Sequence, residues 1–255
     1  MKTLRISERR TETVPYIKKT VYAGKTIEIH KYYSSRYGNK TNPNRQPHIN
    51  TTPDDMAEVN RQQASAKLRG LLNANFEFGD IHAVFTYRKE DRPSDIGEAK
   101  KRYSKLMREL KKAYKKAGIE HKYIAVTEYA NAAVHHHIVL KNIDVSCIRS
   151  CWQWGKVLIT VLDDSGQYGK LAEYLIKETD KTSKQPDAMY RKRWNASQNL
   201  TKPIVKREII NAKGWRDEPK PIKGYRLWKD QNTAYNTVDQ YRGSPRQDYI
   251  MVRLE

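Results

Sequence analysis

The chain has 255 residues, enough for one sizeable domain with appendages or two small ones. Lys plus Arg number 49 against 29 Asp plus Glu, a net charge of +20, which points to a polyanion and to nucleic acid before an anionic membrane surface. No stretch approaches the roughly 18 consecutive apolar residues of a spanning helix, and two cysteines, Cys147 and Cys151, are too few for a disulfide framework or a zinc site. The start, Met1 to Arg10, lacks the apolar core of a secretory signal, so a cytoplasmic protein with no membrane partner is expected. The 17 tyrosines and 5 tryptophans against 3 phenylalanines favour rings that stack on bases while presenting a polar tip.

Residues 1–13 are charged and without pattern, an arm. Tyr16 to Tyr22 and Thr26 to Tyr33 are β-rich runs around Ala23-Gly24-Lys25, a hairpin. Residues 34–51, with Gly38, Pro43, Pro47 and four asparagines, form a loop or linker. Thr52-Pro53 opens a helix to about Asn73, with Thr52 as N-cap and proline at the first helical position. Its apolar side is expected to carry Met56, Val59, Gln63, Ala66 and Leu71.

A strand follows from Gly79 to Arg88, then a helix from Ser94 to about Ala117 with Tyr103, Leu106, Leu110, Ala113 or Tyr114, and Ala117 as its stripe, ended by Gly118. Its nine basic residues between Lys100 and Lys116 suit either a phosphate-facing surface or a solvated side. Tyr123 to Tyr129 and Val134 to Leu140 read as a hairpin around the loop 130–133. In that register Thr127 pairs with His136 and Glu128 stands opposite His135. Alternation puts His137 on the face of His135 and turns His136 away, where partial burial is expected. Two imidazoles and one carboxylate on one face make a divalent-metal constellation; structural histidines are the plain alternative.

Asp144 caps a short helix through Trp152, residues 154–162 form a strand, and 167–178 a helix with Tyr168, Leu171, Ala172, Leu175 and Ile176 inward. Tyr174 borders that stripe and Lys177 follows at i+3. The order β-α-β-β-α-β-α from 79 to 179 implies an α+β fold with one antiparallel sheet and helices packed on it. Beyond Thr179 proline and glycine punctuate an irregular extension, and Tyr190-Arg191-Lys192-Arg193-Trp194 suits a nucleic-acid strand, cations on phosphates and rings on bases. Three segments are therefore expected: 1–78 an arm, hairpin and helix; 79–182 the core; 183–255 a basic, aromatic extension.

Within that core, Phe85-Thr86-Tyr87, His135-His136-His137 and Tyr174-Leu175-Ile176-Lys177 resemble, in order, the first motif, the histidine metal motif and the tyrosine nucleophile motif of the HUH endonucleases. Single-tyrosine rolling-circle replication initiators of small phages and plasmids are the nearest likeness, over about 100 of the 255 residues. His136 departs from it, since the family usually has an apolar residue there. The resemblance implies an RRM-like sheet, Mg²⁺ or Mn²⁺ held by Glu128, His135 and His137, and Tyr174 as nucleophile with Lys177 beside it. It implies single-stranded DNA with an origin hairpin as substrate, a 5′-phosphotyrosine intermediate, later rejoining of the strand, and a host helicase and DNA polymerase as partners. By ligand type alone, manganese or zinc suits the donors. Thr86, Arg191, Lys192, Arg193 and Trp194 are the expected DNA contacts. The alternatives are a non-haem iron oxygenase, a transposase or relaxase of the same chemistry, and a non-catalytic sequence-specific DNA-binding protein; no Gly-rich phosphate loop is present in the sequence.

Overall fold

The computed structural model describes residues 4–5, 16–34, 52–129, 133–180, 192–210, 214–229, 234–238 and 243–254. In chain order these carry β1 (Leu4–Arg5), β2 (Tyr16–Ala23), β3 (Thr26–Tyr33), α1 (Pro53–Asn75), β4 (Ile81–Thr86), α2 (Ile96–Ala117), β5 (Tyr123–Glu128), β6 (His135–Leu140), α3 (Val145–Ser150), β7 (Val157–Val161), α4 (Gly169–Asp180), β8 (Asn195–Ala196), β9 (Ile204–Ile210), β10 (Gly214–Trp215), β11 (Tyr225–Leu227), β12 (Asn236–Val238) and β13 (Pro245–Arg253). They divide into two compact units, residues 59–202 and the two ends, 1–58 with 203–255. Residues 59–78, grouped with the N-terminal arm from sequence, lie in the same unit as the core.

The central unit is built on an antiparallel five-stranded sheet in the order β7-β4-β6-β5-β8. One face is covered by α2, whose Ala99, Tyr103, Leu106, Leu110 and Tyr114 are buried with Phe85, Ile138 and Leu140. That stripe forms because apolar residues recur every three or four positions, while Lys101, Lys105, Lys111 and Lys112 stay exposed. Asp95 caps the helix by accepting from the Glu98 amide at 2.7 Å, and Gly118, at φ 69°, closes it in the left-handed region. The opposite face carries Ile124, Val126 and Val139 beneath Leu68, Leu72 and Phe76 at the end of α1 and Ala172, Leu175 and Ile176 of α4.

Thr52 caps α1 as expected, its Oγ1 accepting from the Asp55 amide at 3.1 Å. The inward side differs from the expected stripe: Ser65, Leu68, Leu72 and Asn73 are buried and Met56 is exposed. The first half of the helix is too polar to define a face, so the Leu68-Leu72 pair at i, i+4 sets it.

The terminal unit corrects the expectation of an irregular C-terminal extension. The β2–β3 hairpin is flanked by β9 on one side and β13 on the other, within a six-stranded antiparallel sheet that also contains β11 and β12. Ile204 to Ile210 and Pro245 to Arg253 are short β-rich runs that the surrounding prolines and glycines concealed. Ile27, Ile29 and Met251 form the apolar centre. On this sheet His30 Nδ1 lies 2.6 Å from Asp248 Oδ1; against the burial that disfavours its charge, Asp248 and Glu28 hold His30 above its ordinary range. The arm 1–13 lies outside the described residues except for Leu4–Arg5, which pairs with Gly214–Trp215.

Candidate metal centre and nucleophile

The β5–β6 ladder has the register that the hairpin reading gives: Thr127 opposes His136 and Glu128 opposes His135. The loop residues 130–132 lie outside the described residues. One ligand atom each from Glu128, His135 and His137 falls within 4.8 Å of the others. His135 donates from Nδ1 to the Ala133 carbonyl at 2.8 Å, which leaves Nε2 with its lone pair 2.8 Å from Glu128 Oε2. Two acceptors that close need a shared cation, a proton or a metal. His137 Nε2 is buried and has no hydrogen-bond partner among the described residues. A buried ring nitrogen normally finds a partner, so this orphan, facing a second imidazole and a carboxylate, fits a divalent cation of the kind that nitrogen and carboxylate donors bind.

His136 points the other way and is fully buried, more than the partial burial expected. Its Nδ1 lies 2.9 Å from Thr127 Oγ1 and its Nε2 3.1 Å from Tyr87 Oη. Burial, with the neighbouring His135 charge, pushes its pKa down to about 3. The extra histidine is therefore a satisfied core residue with no role at the metal face.

Tyr174 on α4 reaches the cluster edge-on: its ring centroid is 5.4 Å from that of His137, and the phenol is 43% exposed, open to a substrate. Burial and the carboxylates of Glu178 and Glu128 raise its pKa above that of free tyrosine. Lys177 is exposed on the same helix. Thr86 ends β4 directly opposite His135, with its hydroxyl donating to the Lys156 carbonyl at 3.2 Å. Gly155 makes this junction possible, because a Cβ there would stand 2.0 Å from the Thr86 carbonyl oxygen.

Arg191 lies outside the described residues. Lys192 is exposed and Arg193 half-buried, while Trp194 packs against the cluster around Leu68 and Tyr168 instead of standing clear for a base. The cause is local: β8 begins at the next residue and pairs with β5, drawing the indole onto the sheet.

Two residues at the site escaped the sequence reading. His82 Nε2 lies 3.3 Å from His137 Nδ1, with the rings stacked, and burial lowers its pKa to about 4. If His137 donates through Nδ1 to His82, its Nε2 is left as the ligand, the usual outer-shell arrangement. Only the β4–β6 register, Val84 opposite His137, brings His82 to this face. Glu178 hydrogen-bonds Glu128; together with burial it raises the Glu128 pKa, against the pull of His135. Its signal was available, since it sits one turn after Tyr174.

No helix among the described residues is long and apolar enough to cross a membrane. No curated protein and no solved structure matches the chain. Residues 82–182, the span holding the three candidate ligands, Tyr174 and Lys177, match a family of replication-associated proteins of the ORF2 type, which supports a replication-initiator relationship for this part of the chain.

Proposed function

We propose that the central unit is a metal-dependent nickase that cuts single-stranded DNA at a replication origin and holds the cut end on Tyr174, initiating rolling-circle DNA replication. The observation that carries this reading is the orphaned His137 Nε2 beside Glu128 and His135, with a solvent-open phenol packed against the same ring. Glu128, His135 and His137 would hold Mg²⁺ or Mn²⁺, which when bound supplies charge neutralisation at the scissile phosphate. Tyr174 Oη attacks phosphorus, forming the tyrosyl O–P bond as the P–O3′ bond breaks. The 3′ oxygen leaves and takes up a proton, while the phenol gives one up. The 5′ phosphate stays on the protein as an ester, so a later 3′ hydroxyl reverses the step and rejoins the strand. A phenol ionises near 10, and the carboxylates around Tyr174 disfavour its anion further, so the Lys177 ammonium serves to stabilise phenolate and phosphate.

Thr86, beside His135, positions the strand, and Lys192 and Arg193 add phosphate contacts at the edge of the unit. Strand separation and extension fall to a host helicase and DNA polymerase in the cytoplasm. The test is incubation with Mn²⁺ and a library of single-stranded hairpin oligonucleotides. The expected result is a protein–oligonucleotide adduct that survives denaturing electrophoresis and maps by mass to Tyr174. Absence of an adduct with every hairpin refutes the proposal.

A further inference from the structure

Strand β9 is the outer strand of the terminal sheet: it pairs with β2 on one side and, among the described residues, with no strand on the other. Its residues are exposed along nearly the whole length, and Ile204, Val205 and Ile209 are 62%, 44% and 52% exposed. Apolar side chains on both faces of an outer strand are a template for another strand, which proteins usually suppress. The sequence Ile204-Val-Lys-Arg-Glu-Ile-Ile210 is also complementary to itself when reversed. Two copies run antiparallel about a two-fold axis through Arg207 would set Lys206 opposite Glu208 twice, Val205 opposite Ile209 twice and Ile204 opposite Ile210 twice. A two-fold axis normal to a sheet preserves its faces, so only registers with a residue on the axis are allowed. Among these, Lys206 on the axis sets lysine against lysine and Val205 against Arg207. With Glu208 there, Arg207 meets Ile209. Arg207 alone keeps all seven residues paired with like or complementary chemistry.

We propose that this edge is the dimerisation surface of the chain, its partner a second copy joined through β9 into one continuous sheet. Opposite-charge and apolar cross-strand pairs each stabilise, and about six to eight new main-chain hydrogen bonds form, depending on which residues of β9 point outward. The one opposing contact is Arg207 against its own copy, in line with Lys19 on the neighbouring strand. Replacing that charge therefore tightens the dimer, a result that a merely sticky surface would not give.

Sedimentation velocity on the full chain over a range of concentration tests the idea, with a thermal melt of each variant to verify folding. The expected behaviour is a concentration-dependent dimer, weakened at least about tenfold by Val205→Lys or Ile209→Lys. Lys206→Glu or Glu208→Lys alone weakens it, the double exchange Lys206→Glu with Glu208→Lys restores it, and Arg207→Gln strengthens it. The double exchange breaks the intramolecular Lys18–Glu208 ion pair at 2.7 Å, yet that pair is exposed enough to leave the fold intact. A monomer at all concentrations overturns the proposal. So does a dimer indifferent to the charge exchange. Neither result bears on the nicking chemistry, which is read separately by the adduct.

Discussion

His136 offers a measurement in which the pH dependence can be worked from one ring. Its folded pKa is about 3 and the ring is fully buried, whereas an unfolded histidine titrates near 6.5. Between those values the unfolded chain binds a proton that the folded chain refuses, so stability is whole above about pH 6.5 and falls as the pH drops toward 3. At pH 5 the loss from His136 alone is about 2 kcal/mol. His82 and His137, lowered by burial to about 4 and about 3, act in the same direction. Because the two share one hydrogen bond, twice the His136 figure is an upper bound for their sum.

The assay is urea unfolding with a chelator present, at pH 7 and pH 5. His136→Leu is the informative variant. At pH 7 it strands the Tyr87 and Thr127 hydroxyls and costs about 1–3 kcal/mol. At pH 5 the wild-type ring has lost its own advantage, so the two proteins converge. Parallel stability curves for wild type and variant would refute the reasoning.

Other outcomes follow from the site. Tyr174→Phe should abolish the DNA adduct while leaving Mn²⁺ affinity, measured by calorimetry, within a factor of about two, since the phenol is no ligand. His82→Leu should weaken Mn²⁺ binding about 10–100-fold by removing the support of His137, and His82→Asn should recover part of it. Glu128→Gln should eliminate tight Mn²⁺ binding and the adduct together, with the melting temperature nearly unchanged in chelator. Gly155→Ala forces a methyl into the Thr86 carbonyl. It should lower the melting temperature by several degrees, equivalent to about 1–3 kcal/mol.

The central hairpin was legible because alternation in β6 and the opposition of Glu128 to His135 are local consequences of a short turn. The α2 stripe was legible for a similar reason, its period spanning 22 residues. His82 was not, because its place at the site depends on β4 lying next to β6, a pairing between segments about 50 residues apart. Strands β9 and β13 were missed for the same physical cause: their partners are β2 and β3, near the other end of the chain, and local punctuation outweighed two short runs. Trp194 misled in the opposite sense, since an aromatic beside arginines reads as a base platform until the pairing of β8 places it on the core.

The pleat of β6 ties chemistry to correct assembly. Its three consecutive imidazoles serve opposite sides of the sheet, the outer two supplying ligands and the middle one filling a sealed polar niche. Sliding this strand by a single position would thrust two unsatisfied rings among Tyr103 and Trp152 and lift the third into solvent, an arrangement with no ligand pair left. Loading with Mn²⁺ is thus a readout of strand alignment, and a misaligned chain is inert from the outset.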